Sequence, residues 1–234
     1  MIAGLQKMTL LDYPGKVACT VFLQGCNYRC PFCHNSELLP REGEEFMTTE
    51  AFLAFLKKRQ GLLDGVCVSG GEPTLCPELP ALLREIKALG YCVKLDTNGS
   101  RPDVLKRLVE EGLADHVAMD VKNSPRRYAQ TLGFSRFDLA ATEESLRFLL
   151  MGTVGYELRT TVVDPLHDAS SIQDMGQWLA SLVPGIKPKI LYLQEFTDRD
   201  TVLFSGLKAP HPGQMQHYQE LLAPFCEAVA IRGK

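Results

Sequence analysis

The sequence has 234 residues, of which 45% are hydrophobic and 23% are charged, a balance that is typical of a folded globular chain and excludes disorder and collagen. Its 25 lysines and arginines against 28 aspartates and glutamates leave a formal charge of −3, too balanced for sequence-independent binding of nucleic acid. No linker-like stretch divides the chain, which predicts one domain over residues 1–234, with a core at about 15–198 and a C-terminal extension at 199–234.

Apolar, β-rich runs alternate with helical patterns along most of the chain, which is typical of βα units and a parallel sheet. The expected strands lie, in chain order, at residues 17–23, 65–69, 91–96, 116–121, 156–163 and 189–196. Amphipathic stripes predict helices at residues 50–58, 77–89, 102–111, 142–150, 168–182 and 214–222.

Polar residues follow the ends of the predicted strands, which is where α/β folds gather their ligands. They are Gln24 and Gly25, Gly70 to Glu72, Asp96 to Asn98, Asp120 to Lys122, and Gln194 with Glu195. Six βα units are too few for a closed eight-stranded barrel. The sequence therefore predicts an α/β fold with a parallel sheet, a partial (β/α)6 TIM-like barrel, with its site on the rim formed by the strand ends.

The beginning of the sequence does not read as a targeting segment. Asp12 and Pro14 interrupt the stretch where a signal peptide needs an apolar run, and no run approaches the ~18 apolar residues that span a bilayer. The sequence therefore predicts a cytoplasmic protein with no membrane partner. In that reducing compartment, its eight cysteines are expected to be ligands or buried small hydrophobes rather than disulfides.

Three cysteines lie close together directly after the first predicted strand. Cys26, Cys30 and Cys33 have the spacing C-x3-C-x2-C, and three thiolates suit a four-iron cluster in which one iron has no protein ligand. The alternative is a structural zinc site with His34 as the fourth ligand. That alternative is disfavoured because His34 immediately follows Cys33, and adjacent side chains rarely converge on one tetrahedral ion.

The cysteine spacing, with the aromatic Phe32 just before the last cysteine, resembles the cluster loop of the radical S-adenosylmethionine (radical SAM) enzymes. The strings LLDYPGK at residues 10–16 and FLQGCNYRCPFCHNSEL at residues 22–38 look like the activating proteins of glycyl-radical enzymes, in particular of anaerobic ribonucleoside-triphosphate reductase. The resemblance covers about residues 4–198 and implies a radical SAM version of the predicted fold.

This resemblance implies a [4Fe-4S] cluster on the three cysteines and S-adenosylmethionine (SAM) chelated to the open iron. One electron, from a flavodoxin or ferredoxin, would cleave SAM to a 5'-deoxyadenosyl radical. In activating proteins that radical takes the α-hydrogen of a glycine on a partner glycyl-radical enzyme, here expected to be the large subunit of anaerobic ribonucleotide reductase.

Further residues are expected to contact SAM. Gly70 and Gly71 allow a close backbone approach to a ligand, and Glu72 offers a carboxylate for the SAM amino group. The remaining candidate contacts are Asp96 for the ribose, Asn98 beside it, Lys122 for the SAM carboxylate, Arg159 for the carboxylate or ribose, and Gln194 for the adenine. For Arg159, a structural pair with an acidic neighbour is an equal alternative.

The resemblance also implies a monovalent cation, held by the equivalents of Asp96, Thr97, Met119 and Asp120. Outside the motif, Cys19, Cys67, Cys92 and Cys226 are expected to be buried and inert. Two other functions stay open at this point: a radical SAM enzyme that acts on a small molecule such as a deazapurine, and a zinc-stabilised binding module without turnover.

Overall fold

The strands follow one another in chain order in an eight-stranded sheet. The computed structural model describes residues 1–40 and 45–232. The strands are β1 (Ile2–Thr9), β2 (Ala18–Leu23), β3 (Gly65–Gly70), β4 (Cys92–Thr97), β5 (His116–Asp120), β6 (Gly155–Val162), β7 (Leu191–Glu195) and β8 (Val229–Arg232). The helices are α1 (Thr49–Lys57), α2 (Leu79–Ala88), α3 (Pro102–Glu110), α4 (Pro125–Thr131), α5 (Ala140–Leu150), α6 (Ala169–Ser181) and α7 (Pro212–Leu222).

All six predicted strands are present, and the α/β class with a mostly parallel sheet is confirmed. Two strands were not expected. β1 pairs antiparallel with β2, and β8 pairs parallel with β7. Neither is a long apolar run, because most of β1 is half-buried or exposed and β8 has only four residues, all half-buried. A count of six βα units therefore omits one strand at each end of the sheet order.

The described residues form two compact units by their internal contacts. Unit 1 contains Met1–Asn27 and Glu37–Ala118, and unit 2 contains Tyr28–Ser36 and Met119–Lys234. The cysteine motif is therefore shared, with Cys26 in unit 1 and Cys30 and Cys33 in unit 2. The single domain expected from the sequence stays a prediction.

In unit 1, β2, β3 and β4 are parallel and in direct register, with Ala18 opposite Gly65 and Gly65 opposite Cys92. Alternation then gives this part of the sheet two different faces. One face carries Cys19, Val21, Val66, Val68, Val93 and Leu95, all fully buried. The other carries Thr20, Cys67, Ser69, Lys94 and Asp96. Helices such as α2 pack against an apolar face of this kind. The polar face carries Asp96, one of the predicted site residues.

In unit 2, β6, β7 and β8 are parallel, and one of their faces is also polar. Arg159 lies opposite Tyr192, and Thr161 lies opposite Gln194. On the same face Arg232 makes two hydrogen bonds, of 2.8 and 3.1 Å, to the buried carboxylate of Glu157.

No helix among the described residues is long and apolar enough to cross a membrane.

Candidate functional site

The first motif cysteine is held by backbone hydrogen bonds at the end of β2. The Gly25 and Cys26 amides donate to the carbonyls of Leu38 and Leu39 over 2.8 and 3.2 Å. Cys26 is half-buried. The loop therefore leaves β2 in a fixed direction and presents the first sulfur at the carboxyl end of that strand.

The glycine pair after β3 is required by the backbone beside it. A Cβ on Gly70, whose φ is +127°, would lie 2.2 Å from the carbonyl oxygen of Leu23, and one on Gly71 would lie 2.2 Å from that of Gly25. The Glu72 amide donates to the Gly25 carbonyl over 2.7 Å. The pair thus brings the end of β3 against the segment that precedes Cys26. That these two glycines also let the backbone approach a ligand closely stays a prediction.

Glu72 is fully buried and accepts hydrogen bonds at both carboxylate oxygens. Oε1 accepts from the Thr74 amide and hydroxyl (3.1 and 2.5 Å) and from the Thr97 hydroxyl (2.7 Å), and Oε2 accepts from the Asn98 amide (2.6 Å). Burial raises the pKa of Glu72, and these donors act in the opposite direction. Glu72 therefore ties the loop after β3 to the end of β4.

Asp96 lies at the end of β4 in a polar cluster that the sequence analysis did not fully identify. Its Oδ1 accepts from the ammonium of Lys94 at 2.7 Å, and its Oδ2 accepts from the hydroxyl of Ser69 at 3.1 Å. The Lys94 side chain is 1% exposed. The available signal was a lysine in the middle of an apolar strand, the same signal that singled out Arg159.

Asn98 connects the end of β4 to the cysteine loop. Its side-chain nitrogen Nδ2 donates to the side-chain oxygen of Asn27, the residue after Cys26, over 2.9 Å. Its own side-chain oxygen accepts from the Ser100 amide over 2.9 Å. Within unit 1, the predicted residues Gly70, Gly71, Glu72 and Asn98 therefore contact the segment around Cys26 directly, and Thr97 is linked to it through Glu72.

In unit 2, Cys30 and Cys33 share a turn in which the Cys33 amide donates to the Cys30 carbonyl over 3.1 Å. Phe32, between them, is 5% exposed, and the ammonium of Lys122 lies over its ring at 6.0 Å from the centroid. Burial raises the pKa of the Cys33 thiol, while the positive charge of Lys122 acts to lower it. A nearby cation favours thiolate, the form of cysteine that binds iron.

Asp120 is the acidic centre of the unit 2 residues. Its two oxygens accept from the Lys122 ammonium at 2.9 Å and from Nε of Arg159 at 3.0 Å. Burial alone would lower the pKa of Lys122, but the charge of Asp120 and its hydrogen bond, together with the nearby Cys30 and Tyr128, outweigh burial and the pKa is raised. Asp120, Lys122 and Arg159 thus lie together in unit 2, and Arg159 has an acidic partner, while its expected contact with SAM stays a prediction.

A buried histidine supports Lys122 through the backbone. Nε2 of His167 lies 2.9 Å from the Lys122 carbonyl, and Nδ1 lies 3.1 Å from the Val163 amide. These partners assign a neutral ring that donates from Nε2 and accepts at Nδ1. Burial lowers the pKa of His167, in agreement with the neutral form.

The remaining predicted residues are more scattered. Gln194 is half-buried in β7 on the same face as Arg159. Met119 is fully buried, and as the neighbour of Asp120 in β5 its side chain lies on the opposite face of that strand. Of the four cysteines expected to be buried, Cys19, Cys67 and Cys226 are buried and Cys92 is half-buried.

Residues 20–151, more than half of the chain, match the Radical SAM superfamily. The chain therefore belongs to the radical SAM superfamily and is a radical SAM enzyme. This superfamily uses a [4Fe-4S] cluster and SAM as cofactors. A solved structure of a radical SAM methyltransferase from Sphaerobacter thermophilus has the same fold, with a TM-score of 0.72, 15% identity, and coverage of 97% of this chain and 68% of that one.

The chain is similar along nearly its full length to a protein of Methanocaldococcus jannaschii provisionally named a glycyl-radical enzyme activating enzyme, with 29% identity over 99% of this chain and 95% of the relative. The pyruvate formate-lyase-activating enzyme of Clostridium pasteurianum is 33% identical over 52% of each chain. The 7-carboxy-7-deazaguanine synthase of Aquifex aeolicus is 29% identical over 64% of this chain and 73% of that enzyme.

The donor chemistry of the described residues fits both superfamily cofactors. The motif offers three sulfur ligands, two of them on one turn beside the Lys122 cation. In unit 1, Asp96 and Asn98 lie at and just after the end of β4, and in unit 2, Asp120 ends β5, Lys122 follows it and Arg159 lies within β6. Acidic, basic and amide groups of this kind suit the charged amino acid and the ribose of SAM.

Proposed function

We propose that this protein activates a glycyl-radical enzyme, the partner being the large subunit of anaerobic ribonucleoside-triphosphate reductase. The observation that carries the activase function is the end-to-end similarity to the Methanocaldococcus jannaschii relative, which covers 95% of that protein. The choice of partner is supported by the LLDYPGK string and the cysteine-loop sequence.

In this proposal Cys26, Cys30 and Cys33 bind the [4Fe-4S] cluster. Together the cluster and SAM supply a carbon-centred radical that removes the α-hydrogen of a glycine. The chain's own part is to position SAM and to exclude water and other reactants. Lys122 and Arg159, both fixed on Asp120, are suited to the SAM carboxylate, Asp96 to the ribose hydroxyls, and Gln194 to the adenine.

In this proposal Glu72 acts on SAM indirectly, whereas the sequence predicts that its carboxylate contacts the SAM amino group. Its carboxylate accepts four hydrogen bonds inside unit 1, so its effect on SAM runs through the positions of Thr97 and Asn98 and through the backbone of the glycine pair. Direct contact of Glu72 with the SAM amino group stays a prediction.

The test is transfer of the radical to a candidate partner. The protein is reconstituted with iron and sulfide without oxygen, reduced with dithionite or a flavodoxin, and mixed with SAM and the purified reductase subunit. A glycine-centred doublet in the electron paramagnetic resonance spectrum is expected, together with cleavage of the partner chain at that glycine when air is admitted.

A matched pair of cysteine variants makes this test specific. Cys30→Ser removes a proposed cluster ligand and is expected to abolish the doublet. Cys76→Ser removes a half-buried cysteine outside the motif and is expected to leave the doublet unchanged. SAM cleavage without a doublet on any glycyl-radical partner would contradict the activase function.

The second candidate function is a radical SAM reaction on a small molecule. It is favoured by the similarity to the deazaguanine synthase, which covers 73% of that enzyme. A reaction of this kind would show SAM cleavage stimulated by a deazapurine precursor in the absence of any protein partner. The proposal also includes a cytoplasmic location and a flavodoxin or ferredoxin as electron donor. The same reconstitution, with each donor in place of dithionite, tests the donor.

A further inference from the structure

Lys94 is a buried lysine on the polar face of unit 1. It is the third of the six residues of β4, is 1% exposed, and lies opposite Cys67 in the sheet register. Residues 94 and 96 share a face of the strand, and the Lys94 side chain turns along that face to place its ammonium 2.7 Å from Oδ1 of Asp96. Burying an ammonium is unfavourable unless it is paired, so this position needs the contact with Asp96.

Ser69 completes the contact from the neighbouring strand. Its hydroxyl donates to the other oxygen of Asp96 over 3.1 Å. Hydrogen bonds to both oxygens fix the plane of the carboxylate as well as its position. Asp96 is therefore held from two sides, by a fixed positive charge on one oxygen and a hydroxyl on the other.

Three of the four residues expected to surround a monovalent cation are engaged in other contacts, and the fourth, Met119, faces away from Asp120. In unit 1, Asp96 is paired with Lys94, and the Thr97 hydroxyl donates to Glu72 at 2.7 Å. In unit 2, Asp120 is paired with both Lys122 and Arg159. The Met119 side chain lies on the face of β5 opposite to Asp120. Within each unit the acidic residue already has a side-chain cation, so this donor set does not fit a bound metal cation.

We propose that the Lys94 ammonium takes the place of a monovalent metal cation in this protein, and that Lys94 is a positioning residue that holds Asp96 for the ribose of SAM. The proposal rests on the assignment of Asp96 to the ribose under the proposed function, but it does not depend on the partner enzyme. Its consequence is that nucleoside binding is independent of the identity of the monovalent cation in solution.

The experiment measures binding of 5'-deoxyadenosine, the nucleoside part of SAM, to the cluster-loaded protein by calorimetry. Three buffers of equal ionic strength contain potassium, sodium or tetramethylammonium chloride, the last being too large to occupy a carboxylate site. For the unaltered protein the dissociation constant is expected to differ by less than about twofold among them, because a built-in charge replaces the ion. Weakening of about tenfold or more in tetramethylammonium, reversed by sodium or potassium, would overturn the proposal.

Lys94→Met removes the charge and keeps a long side chain. We expect its affinity for 5'-deoxyadenosine in tetramethylammonium to fall about tenfold or more, since a charge-assisted hydrogen bond is lost. Sodium or potassium is expected to restore part of the affinity, and sodium-23 relaxation is expected to show a bound ion in this variant only. A variant with unchanged affinity in all three buffers would also overturn the proposal.

The matched control is Lys87→Met, which removes the ammonium that pairs with Asp115 at 2.7 Å in the same unit, at a partly exposed position. This control is expected to bind the nucleoside like the unaltered protein in every buffer. Lys94→Arg is a further variant, which keeps the positive charge. If Lys94→Met does not fold, the comparison of the three buffers on the unaltered protein decides whether the proposal holds. Failure of glycyl-radical transfer would leave all of these binding results unaffected, so the two proposals fail separately.

Discussion

Glu72 shows how a residue in a functional motif can serve the fold first. Its position after β3, beside two glycines, predicts a ligand for an ammonium, and in the fold its carboxylate accepts four hydrogen bonds from Thr74, Thr97 and Asn98. The Thr97 and Asn98 partners come from the next strand, 25 and 26 residues away in sequence. A buried carboxylate with donors at both oxygens holds those donors in place, because leaving any of them unpaired is unfavourable.

Glu72→Gln is expected to destabilise the protein. The amide that replaces one oxygen is itself a donor, so it faces the existing donors instead of accepting from them, and about 2–3 kcal/mol of the free energy of unfolding should be lost. Urea unfolding of the cluster-free protein measures this. Glu78→Gln, at an exposed position six residues later, should change the free energy of unfolding by less than about 0.5 kcal/mol. Equal stabilities of the two variants would contradict this role of Glu72.

Cysteine reactivity should separate the buried thiols from the accessible ones. Burial raises the pKa of both Cys19 and Cys226 to about 12. Because the thiolate is the reactive form, these two cysteines should remain unlabelled by iodoacetamide at pH 8 in the folded protein and react only after unfolding. Peptide mass spectrometry after timed labelling measures the rates. Rapid labelling of Cys19 in the folded protein would show that its strand is not buried as described.

At the scale of elements, the loop after β2 and the loop after β3 are joined by backbone hydrogen bonds within unit 1. The Gly71 amide donates to the Leu23 carbonyl over 3.0 Å, and the Glu72 amide donates to the Gly25 carbonyl over 2.7 Å. Only a residue without Cβ fits at Gly71, because an added carbon would overlap the Gly25 carbonyl. The glycine pair thus determines where the cysteine loop begins.

Gly71→Ala is therefore expected to displace the segment before Cys26. We expect a loss of about 1–3 kcal/mol in the free energy of unfolding and a lower iron content after reconstitution, since the added methyl must be accommodated by backbone movement. Gly4→Ala is the control, because the atoms nearest to a Cβ at Gly4 belong to the Phe22 side chain, at an ordinary 3.5 Å or more. Full iron content in Gly71→Ala would argue against this coupling.

The start of α6 gives a pH-dependent contribution to stability. Asp168 caps the helix by accepting from the Ser171 amide over 2.8 Å and also pairs with Arg127. The Ser171 hydrogen bond, aided by Arg127, lowers the pKa of Asp168 below its ordinary value of 3.8. A lowered pKa in the folded state means that the stabilisation is present above pH 3.8 and is lost as the pH falls through the folded-state value.

Asp168→Ala should accordingly reduce the free energy of unfolding by about 1 kcal/mol at neutral pH. The difference from the unaltered protein should shrink as the pH falls below 3.8, where the carboxylate becomes protonated. Urea unfolding over a series of pH values measures it. Gln173→Ala, at an exposed position of the same helix, should show no pH-dependent difference.

At the scale of the whole molecule, the sequence predicts those parts of the fold that have a local signal. The inner strands are apolar runs, and α2 ends before Gly90, whose φ is +87°, so both could be recognised. β1 and β8 could not, because end strands need little burial. For the site, the sequence singled out Asp120, Lys122 and Arg159 one by one, and their contacts with one another come from the fold. It did not single out Lys94, although a charge within an apolar strand is the same signal that Arg159 carries, because the sequence does not name the partner of a buried charge.

The metal content of the molecule tests the assignment of the cluster ligands, and His34 provides the position that distinguishes a cluster site from a zinc site. In unit 2, Nε2 of His34 lies 2.7 Å from the Thr197 carbonyl, and its ring stacks on Phe196 at a centroid distance of 5.5 Å. These contacts give His34 a structural role. We therefore expect His34→Ala to keep about four irons and four sulfides per chain after anaerobic reconstitution, as in the unaltered protein, while Cys33→Ser loses them. Elemental analysis and the visible absorption of the cluster measure this. One zinc per chain, lost in both variants, would instead identify His34 and Cys33 as ligands of a single tetrahedral ion.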